Sequence, residues 1–357
     1  MKSHYMQWAK LRSQSRFNLA SSGLLNYPLK KLPVKIEELE LSGPSYYGYE
    51  PLQNALAEKT GAPSGSVVAA TGTSMANHLV MAATLSPGDE VLIEHPTYEL
   101  LINVAEYLGA RVKRFSRRAA SGFQIDPQEV ARLIGPRTRL IVVTNLHNPT
   151  SAFTDEETLR SLQEIARRAG ARILVDEVYL EAMFERAPRS AFHMGEEFIT
   201  TNSLTKVYGL SGLRCGWILA EGKMAEKLWR LNDLFGVIPA HTAERLSCIA
   251  LENLDAIRRD AQELLQINGR ILNSFLSSRD DLESIEHRFG TVCFPGLKGH
   301  DSADELCQLL REKYDTSVVP GRFFEMPGHF RIGIGCDTAT LTEGLERLGA
   351  ALDTMRR

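Results

Sequence analysis

The sequence predicts an α/β fold in which a mostly parallel, seven-stranded sheet is covered by helices and a smaller α+β domain is attached to it. Between residues 67 and 220, short apolar runs alternate with amphipathic stretches, as in βα units that stack into one sheet. After residue 221 the pattern changes to long helical stretches and then to a mixture of short strands and helices. The length of 357 residues is compatible with two domains, at about 150 residues per domain.

Seven short segments of the large domain are apolar and rich in β-branched or aromatic residues, which favours strands. Continuously apolar strands that alternate with amphipathic connectors indicate a sheet that is buried on both faces. The segment 155–168 is one such connector, because its apolar residues share one helical face and acidic residues begin it. The predicted strands are residues 67–71, 90–94, 111–115, 139–144, 172–176, 198–203 and 215–220.

The rest of the chain is expected to form an arm, a connector and a small domain. Residues 1–40 show no compact pattern of their own and should pack, as an N-terminal arm, on the small domain or on a partner subunit. The large domain should then comprise residues 41–250 and the small domain residues 251–357. Helices are predicted at 224–234, at 242–278 as one long connector, and at 303–313 and 340–355, with small-domain strands at 291–294, 316–319 and 330–334.

Composition and charge disfavour several classes of protein. The 41 basic and 44 acidic residues give a net charge of −3 without a run of five like charges, so we expect no nucleic-acid partner. No stretch approaches 18 uninterrupted apolar residues, so we expect neither export nor membrane insertion, and we expect a cytoplasmic location. The five cysteines form no Cys-x-x-Cys pair and the nine histidines are dispersed, so no metal site is expected.

Polar residues that directly follow apolar strands carry most of the functional information, because ligands of open α/β sheets bind outside the carboxyl ends of the strands. Asp176 ends one such strand, and a buried carboxylate is costly without a partner, so we expect a cation beside it. Taken alone, Asp176 is better explained by an ion pair to Lys206 or by capping of a helix, and Lys206 by an ordinary solvated lysine. The glycine-rich stretch after Lys206 brings Arg214 close, however, and two cations beside glycines indicate an anion site.

The segment SLTKVYGLSGLRCGW, residues 203–217, resembles the lysine motif of class I/II aminotransferases, which are pyridoxal phosphate enzymes with the aspartate aminotransferase fold. Asn148, Asp176, Tyr179, Lys206 and Arg214 also occur in the order and spacing of that family. Four further segments extend the resemblance to about residues 46–337: YGYEPLQNALAEKTG, TGTSMAN, HPTYELL and VVPGRFFEMPGHFRIGIG. The resemblance implies the fold-type I architecture and pyridoxal 5′-phosphate as the cofactor.

Carried over position by position, the resemblance implies a role for each matched residue. Lys206 would form the Schiff base with the cofactor aldehyde and then move the proton between the substrate Cα and C4′ of the cofactor. Asp176 would pair with the pyridinium nitrogen, and Tyr98 would stack on the ring. Tyr179 and Asn148 would hydrogen-bond the phenolic oxygen, and Asn148 would also reach the substrate carboxylate.

The same resemblance implies two anion sites. Arg331, within an otherwise apolar strand, would bind the substrate α-carboxylate as a bidentate pair, and Gly23 lies in a region that lines the substrate site in the family. The cofactor phosphate would lie at a helix N-terminus, beside a hydroxyl and a guanidinium. Its ligands would be Gly72, Thr73, Ser74, Ser203 and Arg214.

The family usually works as a homodimer in which the partner chain completes each site, so the resemblance also implies a homodimer. Tyr46, Tyr47 and Tyr49 are the candidates for reaching the partner's site, and the sequence does not choose among them. The chain departs from the family at Ser151, where glycine is usual, and at Thr205, where serine is usual. The stretch 231–239 lacks the arginine of dicarboxylate-specific enzymes, which disfavours aspartate as the substrate.

The leading interpretation is an aminotransferase that moves an amino group between an L-amino acid and a 2-oxo acid. A lyase or cyclase on the same scaffold begins with the same removal of the Cα proton by Lys206, so the cofactor motifs do not separate the two. A non-catalytic pyridoxal phosphate-binding regulator is disfavoured, because the first 40 residues lack room for a DNA-binding module. A nicotinamide dehydrogenase is disfavoured because no strand is followed by Gly-x-Gly-x-x-Gly.

Overall fold

The computed structural model describes residues 2–44 and 46–356. It contains one large sheet and three small ones. In chain order the strands are β1 Phe17–Asn18, β2 Val67–Thr71, β3 Glu90–His95, β4 Arg111–Ser116, β5 Thr138–Thr144, β6 Arg172–Asp176, β7 Phe198–Ser203, β8 Cys215–Leu219, β9 Leu282–Glu283, β10 Val292–Cys293, β11 Gly296–Leu297, β12 Thr316–Ser317, β13 Val319–Pro320 and β14 Phe330–Gly333.

The large sheet has seven strands in the order β2, β8, β7, β6, β5, β3, β4. Strand β8 runs antiparallel to its neighbours β2 and β7, and the other neighbouring pairs are parallel. These are the seven strands that the sequence predicts, and their ends differ from the predicted ones by at most one residue. The predicted fold class is therefore confirmed.

Helices cover both faces of this sheet. In chain order the helices are α1 His4–Leu11, α2 Glu50–Thr60, α3 Thr73–Thr84, α4 Glu99–Tyr107, α5 Pro127–Leu133, α6 Glu156–Ala169, α7 Gly222–Asn232, α8 His241–Glu252, α9 Leu254–Ser277, α10 Asp304–Tyr314 and α11 Thr338–Met355. Residues of α3, α4 and α7 pack on one face and residues of α5 and α6 on the other. Within β5, Leu140 and Val142 face the first group whereas Ile141 and Val143 face the second.

The C-terminal part is a small α+β unit whose sheet has the order β10, β14, β13. The predicted single helix over 242–278 is wrong, because the chain breaks at Asn253 between α8 and α9. The Asn253 side chain donates to the carbonyl of Ile249 (2.7 Å) and so competes with the backbone ladder that would continue the helix. The predicted strand 316–319 is likewise divided, into β12 and β13.

The N-terminal segment is more regular than its sequence predicts, because it contains α1 and β1. Strand β1 pairs in parallel with β12 of the C-terminal unit. Further along, Leu24 N donates to the carbonyl of Lys206 and Leu25 N to the carbonyl of Gly335, both at 2.9 Å. The segment therefore contacts both the large sheet unit and the C-terminal unit, while the predicted domain boundaries remain predictions. In the part of the chain that the structure describes, no helix is long and apolar enough to span a membrane.

Candidate active site

A cavity of about 270 Å³ lies where β5, β6 and β7 end and α3 begins. Its location agrees with the rule that ligands of open α/β sheets bind at the carboxyl ends of the strands. Side chains from the N-terminal helix α1 form another part of its wall. The predicted site residues that line it are Thr73, Ser74, Tyr98, Asn148, Asp176, Tyr179, Ser203, Lys206 and Arg214.

The remaining predicted residues lie beside the cavity lining. Gly72 is the N-cap of α3 and contacts Arg214, and Arg331 contacts Asn148 from strand β14. Gly23 packs on Lys206, since a Cβ added at Gly23 would lie 3.4 Å from Lys206 Cδ. All the predicted site residues are thus brought together around one cavity.

Lys206 follows β7 and presents its amine to the cavity. Its Nζ donates to the hydroxyl of Ser22 (2.9 Å), and among the described residues no carboxylate oxygen lies within 4 Å of it. Burial lowers the pKa of Lys206, and the positive charges of Arg331 and Arg214 lower it further. A lowered pKa favours the neutral amine, which is the form that acts as a base or nucleophile.

Asp176 ends β6 with its carboxylate buried. One oxygen accepts from Asn77 Nδ2 (2.8 Å) and the other from the backbone N–H of Val178 (3.1 Å), while Thr201 donates to the Asn77 amide oxygen (2.6 Å). The expected ion pair to Lys206 is absent: among the described residues no cationic nitrogen lies within 4 Å of the carboxylate, and its hydrogen-bond donors are the neutral groups of Asn77 and Val178. Burial raises the pKa of Asp176, and the two hydrogen bonds oppose that shift. The carboxylate is therefore fixed in position by two neutral donors.

The start of α3 forms a cradle suited to an anion. Gly72 has φ +83, and a Cβ there would lie 2.3 Å from Arg214 Nη2, so the close approach of this guanidinium requires glycine. Thr73 donates its hydroxyl to Ser203 Oγ (2.9 Å), and Arg214 is held by the carbonyl of residue 71 (3.1 Å). The hydroxyl of Thr205, which also lines the cavity, is buried without a hydrogen-bond partner.

Arg331 is fully buried in β14. Its Nη1 donates to Asn148 Oδ1 (3.0 Å), and its Nη2 donates to Tyr5 Oη (3.0 Å) and to the carbonyl of Ala20 (3.1 Å). Its Nε has no partner, and no carboxylate among the described residues lies within 4 Å of the guanidinium. A buried guanidinium with only neutral partners is expected to bind an anion, and a carboxylate matches its fork geometry.

A buried ion pair fixes the position of the loop that carries Asn148. Glu94 Oε2 lies 2.8 Å from Arg117 Nε, and both side chains are fully buried. The other oxygen of Glu94 accepts from the N–H (2.7 Å) and the hydroxyl (2.6 Å) of Thr144. The same hydroxyl of Thr144 accepts from the N–H of Asn148 (3.0 Å). The loop that carries Asn148 is therefore fixed to the core of the sheet by a connected polar network.

Three residues that contact the predicted site residues or their supporting network were not found from the sequence. Asn77 follows Thr73 by one helical turn, so its place on the same face of α3 could have been anticipated. Glu94 at the end of β3 had no local signal that its partner is Arg117. Tyr5 had none either, because its contact with Arg331 joins the two ends of the chain.

The three tyrosines of the segment 46–49 lie outside the cavity lining. Tyr49 is only 8% exposed and its hydroxyl accepts from Arg245 Nη1 (3.1 Å), so this tyrosine is buried and hydrogen-bonded within its own chain. Tyr46 and Tyr47 are 78% and 51% exposed. Only these two remain available to a partner.

The fold agrees with that of known proteins. The family model described as Aminotransferase class I and II matches residues 34–348, so the chain belongs to that family. Pyridoxal 5′-phosphate, on which the family depends, is its cofactor.

Three known proteins illustrate the relationship. Capreomycidine synthase of Streptomyces vinaceus is 30% identical, with 96% of this chain and 92% of that protein covered. Arginine–pyruvate transaminase of Pseudomonas aeruginosa is 27% identical, with 97% and 92% covered. The crystal structure of a PLP-dependent aminotransferase from Streptococcus suis has a TM-score of 0.93 and 26% identity, with 99% of this chain and 98% of that chain covered.

The residues present fit this cofactor. The buried carboxylate of Asp176 has only neutral partners and is suited to a protonated ring nitrogen. The N-terminus of α3, the partnerless hydroxyl of Thr205 and the guanidinium of Arg214 are suited to a phosphate. Lys206 presents an amine of lowered pKa to the same cavity.

Proposed function

We propose that the protein is an aminotransferase that moves an amino group between an L-amino acid and a 2-oxo acid, with Lys206 as the catalytic residue. One observation carries the proposal: the amine of Lys206 lies in the same cavity as the carboxylate of Asp176, whose hydrogen-bond donors are neutral, and near the buried guanidinium of Arg331, which has no carboxylate partner among the described residues. Lys206 provides a base, Asp176 a partner for the cofactor ring that accepts electrons, and Arg331 a cation that binds the substrate carboxylate. Transamination of an α-amino acid requires all three.

When bound, pyridoxal 5′-phosphate supplies an aldehyde for covalent attachment and a ring that accepts electrons. Lys206 would hold the cofactor through its amine, and as a free base the same amine would take the proton from the substrate Cα. Its lowered pKa favours this, because a neutral amine accepts a proton and an ammonium does not. Ser22, the hydrogen-bond partner of Nζ, orients the amine.

The other polar groups of the cavity position the reactants. Asp176, fixed by Asn77, would hold the ring nitrogen in its protonated form, and Tyr98, which lines the same cavity, would pack on the ring. Tyr179 and Asn148, which line the cavity, would donate hydrogen bonds to the phenolic oxygen. The phosphate would be bound by Gly72, Thr73, Ser74, Ser203 and Arg214, and by Thr205 in addition.

Arg331 binds the α-carboxylate of the substrate. Its Nη1 is already oriented by Asn148, and its full burial makes an ion pair with a carboxylate stronger than it would be in water. Gly23 leaves room beside the stem of Lys206, where a side chain would meet Cδ. This arrangement would place the substrate Cα between Arg331 and Lys206.

Incubation of the purified holoprotein with single amino acids tests this function. We expect at least one of them to convert the cofactor to its pyridoxamine form while releasing one equivalent of the matching 2-oxo acid. Absorption spectra follow the cofactor, and chromatography identifies the 2-oxo acid. Release of ammonia or of a cyclised product, with the pyridoxamine form never appearing, would contradict an aminotransferase.

A second function is supported by the 30% identity to capreomycidine synthase over 96% of the chain. A lyase or cyclase would use Lys206 for the same first proton removal and then expel a group from the substrate side chain. Such an enzyme needs a substrate with a leaving group, so the amino-acid experiment distinguishes the two when it includes such substrates.

We also propose that the protein works as a homodimer. The segment after α7 exposes the apolar side chains of Leu234, Phe235 and Val237, and Tyr47 donates a hydrogen bond to the neighbouring Asp233 (3.2 Å). An apolar patch beside an exposed tyrosine suits a subunit interface, with Tyr46 or Tyr47 reaching the partner's phosphate site. A solution mass equal to one chain would contradict this. The expected cytoplasmic location and the expected lack of a nucleic-acid partner remain predictions.

A further inference from the structure

Helix α1 forms a wall of the cavity that the cofactor motifs do not include. Tyr5, Met6 and Ala9 of this helix line the cavity together with Lys206. The start of α1 is tied to Glu99, whose carboxylate accepts from the hydroxyl of Ser3 and from the N–H of Tyr5 (2.9 Å). A negative charge at a helix N-terminus is favourable, so this tie stabilises the docked helix.

The Tyr5 ring is fixed by aromatic neighbours on several sides. It packs edge-on against Tyr98 (5.6 Å between ring centroids) and against Phe323 (5.8 Å), and it also contacts Phe324 (5.9 Å). The guanidinium carbon of Arg331 lies 5.7 Å from the ring centroid. With so many contacts the hydroxyl has a defined position, which is what a binding group requires.

The hydroxyl of Tyr5 retains a hydrogen-bond donor for a ligand. It accepts from Arg331 Nη2, which leaves its own proton free, and within the described residues the structure gives that proton no acceptor. Arg331 also keeps its Nε without a partner. A carboxylate that approaches Arg331 from the cavity would therefore meet donors from both side chains.

The geometry points to Tyr5 as a substrate-binding residue that donates a hydrogen bond to the α-carboxylate held by Arg331. This inference deepens the proposed function and rests on it. Because Ala20 also accepts from Nη2 of Arg331, the guanidinium keeps a partner when the tyrosine hydroxyl is removed. The hydroxyl is therefore assigned to the ligand and not to support of the arginine alone.

The side chains of α1 also indicate what kind of substrate side chain is accepted. Tyr5, Met6 and Ala9 carry no charge, and among the described lining residues the only carboxylate is that of Asp176, which is engaged by Asn77 and Val178. The residues of α1 that line the cavity therefore offer no negative charge to a cationic substrate side chain. We therefore expect an uncharged side chain to be preferred over a guanidinium.

The variant Tyr5→Phe tests the inference, because it removes one oxygen and keeps the ring contacts. Binding of three unreactive carboxylates to the holoprotein is measured by calorimetry: 4-methylvalerate, hydrocinnamate and 5-guanidinovalerate, which are leucine, phenylalanine and arginine without the amino group. We expect the dissociation constant of the tightest binder to rise about tenfold in Tyr5→Phe. In the half-reaction, KM should rise by a similar factor while kcat changes less than about threefold.

Tyr107→Phe is the matched control, since this tyrosine is exposed and does not line the cavity. It should bind the carboxylates as the unmodified protein does. Equal carboxylate affinity in Tyr5→Phe and the unmodified protein would overturn the inference, as would an unmodified protein that binds none of the three. If carboxylates bind and Tyr5→Phe weakens them but no 2-oxo acid ever forms, the inference stands and the proposed aminotransferase activity fails.

Discussion

Replacing Lys206 by alanine is expected to lower the rate of the half-reaction with amino acids by about 10⁴-fold, because the variant lacks the base that takes the Cα proton. The visible absorption band of the lysine-bound cofactor should disappear as well. Stopped-flow absorbance and 2-oxo acid analysis measure both effects. Lys206→Arg should be as inactive as Lys206→Ala, since a guanidinium keeps the charge but neither attaches the cofactor nor accepts a proton.

Lys227→Ala provides the matched lysine control. The amine of Lys227 donates to the carbonyl of Ala83 at the end of α3 and does not line the cavity. Its removal should leave the half-reaction and the visible band unchanged. If Lys206→Ala kept the visible band and the Lys227 variant lost it, the assignment of the catalytic lysine would be wrong.

Glu94→Ala is expected to lower the free energy of unfolding by about 3–5 kcal/mol, because it leaves Arg117 charged and unpaired in the core. It also removes the acceptor of Thr144, and through it the support of Asn148. Urea denaturation of the holoprotein measures the change. Burial lowers the pKa of Arg117 and raises that of Glu94, so each ion depends on the other.

Glu156→Ala is the matched control for that experiment. Glu156 pairs with Arg160 at 2.6 Å, but both side chains are exposed on α6. Such surface pairs contribute about 0–1 kcal/mol, so this variant should unfold almost as the unmodified protein does. Equal losses in the two variants would show that the buried pair has no special importance.

The sequence predicts the large sheet well because most of its strands are largely apolar runs bounded by turn residues, although β4 has the sequence RVKRFS. The positions of the apolar runs in the sequence therefore locate all seven strands, with each strand end within one residue of the predicted one. The lysine motif and the strand-end polar residues also come together as expected, since the carboxyl ends of parallel strands meet at one edge of the sheet. Asp176, Asn148 and Lys206 are the clearest cases.

The features that the sequence does not predict depend on contacts between distant parts of the chain. Glu94 and Arg117 look like ordinary charged residues at strand ends until the sheet places them together in the core. Helix α1 buries only Tyr5 and Trp8, so its pattern is weak, and its position is fixed by Glu99 and Arg331. The break at Asn253 depends on one side-chain hydrogen bond, which periodicity does not register.

We expect the cofactor to be attached to Lys206, in the cavity at the ends of β5, β6 and β7. Reduction of the purified holoprotein with borohydride, proteolysis and peptide mass spectrometry test it without any mutation. One reduced pyridoxyl group per chain should appear, on the peptide that contains Lys206. A pyridoxyl group on any other lysine, or none on the Lys206 peptide, would contradict it.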